Sequence, residues 1–406
     1  MRFVLLVLIL SLWAVAPSAQ PAEPEAPHGV PHQMTETISS WRQLEVAVFT
    51  SPVGEADGFL LRGLKALVDG DLEKADLELA SALESAPDSL RPFIRARLAE
   101  SAREQFRWGD ALQYTLVDRP EMATDTQAGY ARFPTPALAL DAPETTVPFE
   151  GLRIPLSVNG APARAIVDTG APGTGIGRAL VERLGLRVDT TAKGRSSIPS
   201  MGLSFDTYAV LIDSIQIGDA TLYNVPATVG WTEEDASKED DEIFLGANIL
   251  RHLLDGLRYD YADSTFTLIR DIEATDEAPM FIIDSGSAPV LPVSVDGVSA
   301  NAIIDTGNLA SVYLASGAFD LTEATFSRAI SGVTESGYEW SQQLYHVPFE
   351  IPGHPSGEHE AYEATFVFQK DDPITVILGK PIWQNGALML DFVNRRVAFT
   401  PSGSNR

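Results

Sequence analysis

The chain has 406 residues, with 29 basic and 56 acidic side chains for a net charge of −27, and no cysteine. At 45% hydrophobic and 21% charged it can bury real cores, and its length predicts two or three domains. The acidic balance argues against nucleic-acid binding, because phosphate contacts need Lys and Arg. The lack of cysteine excludes disulfides, thiolate metal sites and a cysteine nucleophile, so any chemistry must come from oxygen and nitrogen groups.

In chain order, Met1-Arg2 and the apolar run Phe3 to Ala16, followed by Ala16, Ser18, Ala19 and Gln20, predict a signal peptide over residues 1–20. The run is shorter than the ~20 residues of a spanning helix. The expected product is therefore exported, periplasmic or secreted, with no integral membrane segment after cleavage. Residues 21–40, rich in Pro, Glu, His and Ser, read as a tether. Residues 41–118 carry apolar side chains at helical spacing. Phe59, Gly63, Ala66, the Asp69-Gly70-Asp71 turn, Ala75, Leu79, Ala82 and Pro87 resemble one tetratricopeptide repeat over residues 56–89. That resemblance implies Gly63 packed on Ala75 and a surface for a protein partner; the plainer alternative is a helical hairpin packed on the main body. A second pair is expected with Pro92 near its start and Gly109-Asp110 in its turn. Residues 119–148 read as a linker.

The texture then becomes short β-rich runs, at Arg153–Val158, Arg164–Val167, Tyr208–Ile212 and Thr265–Ile269, separated by turn residues. The segment from Ile154 through Asn159-Gly160 to Asp168-Thr169-Gly170 aligns without a gap on the one from Leu291 through Asp296-Gly297 to Asp305-Thr306-Gly307. Each copy predicts a strand, a tight hairpin, a second strand and then Asp-Thr-Gly. Ile243-Phe244-Leu245-Gly246 is echoed by Val376-Ile377-Leu378-Gly379, and Asp260-Tyr261 by Asp391-Phe392. Two homologous β lobes of about 125 residues each follow, at 149–272 and 278–402.

Each lobe delivers one carboxylate at the end of an apolar strand, where an unpaired charge costs several kcal/mol. A pseudo-symmetric pair of Asp168 and Asp305 at the lobe interface resolves the cost, because two adjoining carboxylates share one proton. Gly170 and Gly307 permit the tight turn, and the hydroxyls of Thr169 and Thr306 are placed to tie the turns together. A lone Asp-Thr-Gly arises by chance in roughly one chain in ten of this length; two copies inside one extended repeat do not.

Residues 150–402 resemble the retropepsin-like and pepsin-like aspartic peptidases, with both lobes in one chain. The resemblance rests on Asp168-Thr169-Gly170-Ala171, Asp305-Thr306-Gly307 and the signatures Leu245-Gly246 and Leu378-Gly379. It implies a mainly β, bilobal acid-protease-type fold with a pseudo-twofold repeat behind a small helical domain. It also implies catalytic Asp168 and Asp305, a peptide or protein substrate, no cofactor, no metal and a monomer. Flap hairpins are expected near Met201-Gly202 and Gly337-Tyr338. Ala171 and Asn308 follow the two glycines where a hydroxyl is common in pepsin-like members. With fewer hydrogen bonds to the ionised form, a higher carboxylate pKa and activity at mildly acidic to near-neutral pH are expected.

Other motifs read as structural. Asp284-Ser285-Gly286 falls outside the repeat register. Gly170 to Gly177 lacks the Lys-Ser/Thr of a phosphate loop. The acidic run from Glu233 to Glu242 lacks calcium-loop spacing, and His354 and His359 read as surface histidines. Trp231, Trp340 and Trp383 read as packing residues. The reading that follows is an aspartic endopeptidase; its alternative is a non-catalytic peptide-binding or scaffold protein using the cleft and the helices.

Overall fold

The computed structural model describes residues 58–171, 173–198, 203–231, 242–272, 278–283, 288–322, 324–333, 339–364 and 374–401. The expected signal peptide, tether and start of the helical region lie outside these residues. So do Met201, Gly202, Gly337 and Tyr338, the Asp284-Ser285-Gly286 motif and the acidic run up to residue 241.

Four helices open the described chain: α1 (Phe59–Asp69), α2 (Leu72–Ser85), α3 (Arg91–Glu104) and α4 (Trp108–Asp118). Gly70 ends α1 in the left-handed conformation (φ 81°), and Asp71 caps α2 by accepting from the Lys74 N–H. The close approach at Gly63 is made by Leu79 rather than Ala75: a Cβ on Gly63 would lie 2.7 Å from Leu79 Cγ. Gly109 lies inside α4 and not in a turn. The helix before it ends instead on Phe106 (φ 56°), with Arg107 N–H reaching back to the Ala102 carbonyl (2.8 Å). Leu61, Leu64, Leu79 and Ile94 share a core with Ala288, Val290 and Ile303, so the helical segment packs directly on the second lobe.

Residues 119–148 form part of the body and not a free linker. They contain α5 (Thr126–Tyr130), β1 (Ala137–Ala139) and β2 (Glu144–Pro148). The first lobe continues with β3 (Arg153–Val158), β4 (Ala161–Asp168), β5 (Thr174–Ile176), α6 (Arg178–Leu184), β6 (Val188–Ile198) and β7 (Leu203–Ile217). β8 (Ala220–Trp231), β9 (Glu242–Gly246), α7 (Ala247–Leu253), β10 (Gly256–Asp260) and β11 (Thr265–Ile269) complete it. The second lobe holds β12 (Ala278–Pro279), β13 (Phe281–Ile283), β14 (Ala288–Val295), β15 (Val298–Ile304), β16 (Val312–Ala315) and β17 (Thr325–Val333). It closes with β18 (Glu339–Glu350), β19 (Gly357–Ala364), β20 (Val376–Leu378), β21 (Gly386–Asp391) and β22 (Arg396–Pro401).

One sheet has the order β1-β8-β5-β9-β4-β3-β7-β6, and an added β7–β8 ladder closes it on itself. The second lobe repeats the plan as β13-β14-β15-β20-β16-β19-β18-β17, closed by β14–β18. A third sheet, β12-β22-β21-β10-β11-β2, takes strands from both lobes. The lobe boundary at residue 149 is therefore too late, because β2 pairs with β11 along its whole length.

The architecture is mainly β and bilobal, with a pseudo-twofold repeat behind a helical segment. Asn159-Gly160 and Asp296-Gly297 form the two equivalent hairpin turns, all four residues at positive φ (48°, 81°, 48° and 78°). The β6–β7 ladder runs as far as Ile198 opposite Leu203, and the β17–β18 ladder as far as Val333 opposite Glu339. Against the first of these packs α5: a Cβ on Gly129 would lie 3.0 Å from Ala192 Cβ, and Arg132 pairs with Asp189 at 2.9 Å. His354 and His359 are both half-buried; His359 lies in β19, with Nε2 buried and unpartnered among the described residues. Trp383 is buried and donates to the Tyr261 hydroxyl (3.2 Å). Among the described residues, no helix is long and apolar enough to cross a membrane.

Candidate active site

β4 ends in Ala165-Ile166-Val167 and β15 in Ala302-Ile303-Ile304, all buried, and each then delivers its aspartate to the lobe interface. Asp168 is 6% exposed and Asp305 is 3% exposed. β4 runs parallel to β9 with Asp168 opposite Gly246, and β15 runs parallel to β20 with Ile304 opposite Leu378. The Asp305 N–H donates to the Leu378 carbonyl at 2.9 Å.

After each aspartate the chain turns back across the neighbouring strand, which explains both Leu-Gly signatures. A Cβ on Gly246 would lie 2.9 Å from the Ala171 carbonyl oxygen, and one on Gly379 would lie 2.9 Å from that of Asn308. Hydrogen bonds from Ala247 N–H to Ala171 (3.1 Å) and from Lys380 N–H to Asn308 (2.8 Å) close the crossings. Only glycine fits there.

The turns cradle the carboxylates. Gly170 and Ala171 N–H both donate to Asp168 Oδ1 at 3.0 Å, and Gly307 N–H donates to Asp305 Oδ1 at 3.0 Å. The threonines cross between lobes as expected. Thr169 N–H donates to Thr306 Oγ1 and Thr306 N–H to Thr169 Oγ1, both at 3.1 Å. Thr169 Oγ1 donates to the Ile304 carbonyl (2.6 Å), and Thr306 Oγ1 to that of Val167 (2.7 Å). Each threonine thus spends both its N–H and its hydroxyl on the opposite lobe.

The brace brings each carboxyl over the partner's glycine. A Cβ on Gly170 would lie 2.6 Å from Asp305 Cγ, and one on Gly307 would lie 2.6 Å from Asp168 Cγ. The two carboxyl groups thus face one another closely enough for each to shift the other's titration. Burial pushes Asp168 up to about 6, against the pull of the Asp305 carboxyl and the Gly170 and Ala171 N–H groups. Asp305 is raised well above the ordinary range, by burial first and then by the Asp168 charge. Both carboxyls are thus raised by their shared burial, and once one ionises the pair holds the other proton tightly. The expected upward shift is present, but burial is its main cause, and Ala171 itself supplies a backbone donor.

Two residues near the pair were not singled out from sequence. Tyr259, on β10, is buried and donates from its hydroxyl to the Val167 carbonyl at 3.1 Å. That carbonyl also accepts from Thr306, so Tyr259 adds a support on the Asp168 side. Its counterpart in the repeat is Leu390, and this break in the pattern is the signal that would have found it. Tyr313, on β16, is buried against Tyr362 (ring centroids 4.2 Å apart) and lies beside Asn308, within electrostatic reach of Asp305. Asn308 is fully buried; its Oδ1 accepts from Ala310 N–H (2.9 Å), and its Nδ2 has no hydrogen-bond partner among the described residues. Among those residues, no group of three or more His, Asp or Glu side chains is placed to hold a metal ion.

Residues 154–249 match the family model described as aspartyl protease. The matched span runs from β3 into α7 and includes Asp168-Thr169-Gly170 and Leu245-Gly246. Among solved structures, the aspartic proteinase from Irpex lacteus is 12% identical, with a TM-score of 0.41 over 64% of this chain and 98% of that one. A retropepsin-like aspartic protease from Rickettsia conorii is 19% identical, with a TM-score of 0.23 over 33% of this chain and 92% of that one. Conglutin gamma, a basic 7S globulin from lupine seeds, is 11% identical, with a TM-score of 0.37 over 66% of this chain and 96% of that one. No curated protein matches the chain.

Proposed function

We propose that the protein is an aspartic endopeptidase, with Asp168 and Asp305 as its catalytic pair. The observation that carries this reading is the mutual placement of the two carboxyls, each buried over the other's glycine and held by backbone N–H donors. The aspartyl protease match over the first lobe supports it.

In the resting pair Asp168 is ionised and Asp305 protonated. A water molecule between them gives a proton to Asp168 as its oxygen attacks the peptide carbonyl carbon, while Asp305 gives its proton to the carbonyl oxygen. The product is a neutral tetrahedral diol. On collapse the C–N bond breaks, the nitrogen takes the proton held by Asp168, and one diol hydroxyl returns a proton to Asp305. The pair ends in its starting state. The substrate would lie between the lobes, beneath the β6–β7 and β17–β18 hairpins. The apolar leader adds export to the same proposal.

The test is cleavage of a peptide library by the full chain, with pepstatin as inhibitor. Cleavage by wild type that is blocked by pepstatin and lost in Asp168→Asn and in Asp305→Asn is the expected result. Peptides that bind but are cut by none of the three would replace this reading with a binding protein.

A further inference from the structure

A second cluster of charge lies away from the aspartate pair, where the helical segment meets the second lobe. The α1–α2 turn, α7 and the β21–β22 turn enclose a cavity of about 240 Å³, edged by Asp69, Gly70, Arg251, His252 and Arg395. Sites for drug-sized ligands run to roughly 300–1,000 Å³, so this one suits a group of a few heavy atoms. In a chain of net charge −27, the gathering of two guanidinium groups is a local exception.

The two arginines are not in the same position. Arg251 pairs with Glu104 of α3, and its Nε donates to His252 Nε2 at 3.2 Å. Arg395 has no hydrogen-bond or ion-pair partner for its guanidinium among the described residues. The carboxylate whose charge reaches it is that of Asp69, which is bound to Lys65 at 2.5 Å. Burial brings Arg395 down to about 10, so it remains a cation at neutral pH. It is also held in place. The hairpin turn keeps its backbone in the left-handed region (φ 55°), as Ser264 (φ 54°) is kept in the equivalent first-lobe turn. Its guanidinium packs on Gly70 so closely that a Cβ there would overlap it. A confined cation whose nearest carboxylate is already bound to a lysine is destabilised, and an anion that enters the cavity offsets this.

We propose that this seam binds a small oxyanion, a carboxylate or phosphate group, with Arg395 as its ligand. The planar fork of Arg395 suits two oxygens of one group. Because the cavity is walled by both the helical segment and the second lobe, the bound anion clamps one to the other. This site is independent of peptidase activity.

The experiment is thermal denaturation of the full chain at neutral pH and fixed ionic strength, with chloride exchanged for inorganic phosphate and, separately, acetate. The midpoint is expected to rise saturably with at least one of the two, and Arg395→Gln to weaken the apparent affinity roughly tenfold or more. Arg328→Gln, which removes an exposed arginine of the same lobe, should leave the response intact. Should Arg395→Gln fail to fold, Asp69→Asn decides the matter, since removing the competing carboxylate must tighten binding. The proposal is overturned by the absence of saturation up to tens of millimolar of either anion. An equal response in Arg395→Gln, or unchanged binding in Asp69→Asn, overturns it as well.

Discussion

Replacing both aspartates by asparagine should stabilise the protein at neutral and alkaline pH and do nothing for it in acid. The amides keep the oxygens that accept from Gly170, Ala171 and Gly307 N–H, so the cradle survives while the charge is lost. In the native pair, Asp168 is held at about 6 against an ordinary value of 3.8. A carboxyl raised on folding favours the native state least when ionised. The Asp168 part of the penalty is absent below the unfolded pKa, grows through the interval from about 4 to about 6 and is constant above it, while the Asp305 part goes on growing until that proton leaves. The Asp168 shift alone corresponds to about 3 kcal/mol, or roughly 3–4 °C in the unfolding midpoint of a chain of this size. The assay is a series of thermal melts from acidic to alkaline pH, comparing wild type with Asp168→Asn/Asp305→Asn. Single variants should gain less, because the remaining carboxyl still ionises in the same buried place. A double variant no more stable than wild type at pH 8, or one whose advantage grows on acidification, would refute the view that the two groups share a desolvated site.

The same titration fixes the expected rate profile. Cleavage needs Asp168 ionised and Asp305 protonated, so activity should rise on its acid side near pH 6 and persist until the Asp305 proton leaves; a peak at strongly acidic pH would contradict this. Gly170→Ala places a Cβ about 2.6 Å from Asp305 Cγ and should abolish cleavage, with circular dichroism showing the sheets intact. Tyr259→Phe removes one donor from the Val167 carbonyl, worth about 1 kcal/mol. It should lower kcat several-fold with KM unchanged, whereas an equal loss in both would show that Tyr259 does not position the pair. Gly129→Val forces α5 off β6 and β7 and should alter KM for long peptides more than for short ones, if the β6–β7 hairpin covers the substrate.

What could be read from sequence here was the symmetric part. Strands, hairpin turns and both Asp-Thr-Gly loops are written twice, and agreement between copies makes a short motif informative. The asymmetric parts were hidden for separate physical reasons. β2 is five residues long and pairs with β11 more than a hundred residues later, so no local pattern marks it beyond the alternation of Thr145 and Val147 facing inward. α5 spans five residues, too few for a helical period, and its small Gly129 signals close packing only once the partner hairpin is known. Gly109 suggests a turn because glycine usually ends helices, whereas here Phe106 takes the left-handed position and the next helix begins at Trp108. Tyr259 and Arg395 sit where the repeat is broken, opposite Leu390 and Ser264 of the other copy. Both are side chains that a purely structural copy of the lobe does not need. A duplicated fold therefore separates two kinds of residue: positions that agree between copies build the lobe and its carboxylate, and polar positions that disagree are where a role particular to one lobe is to be tested first.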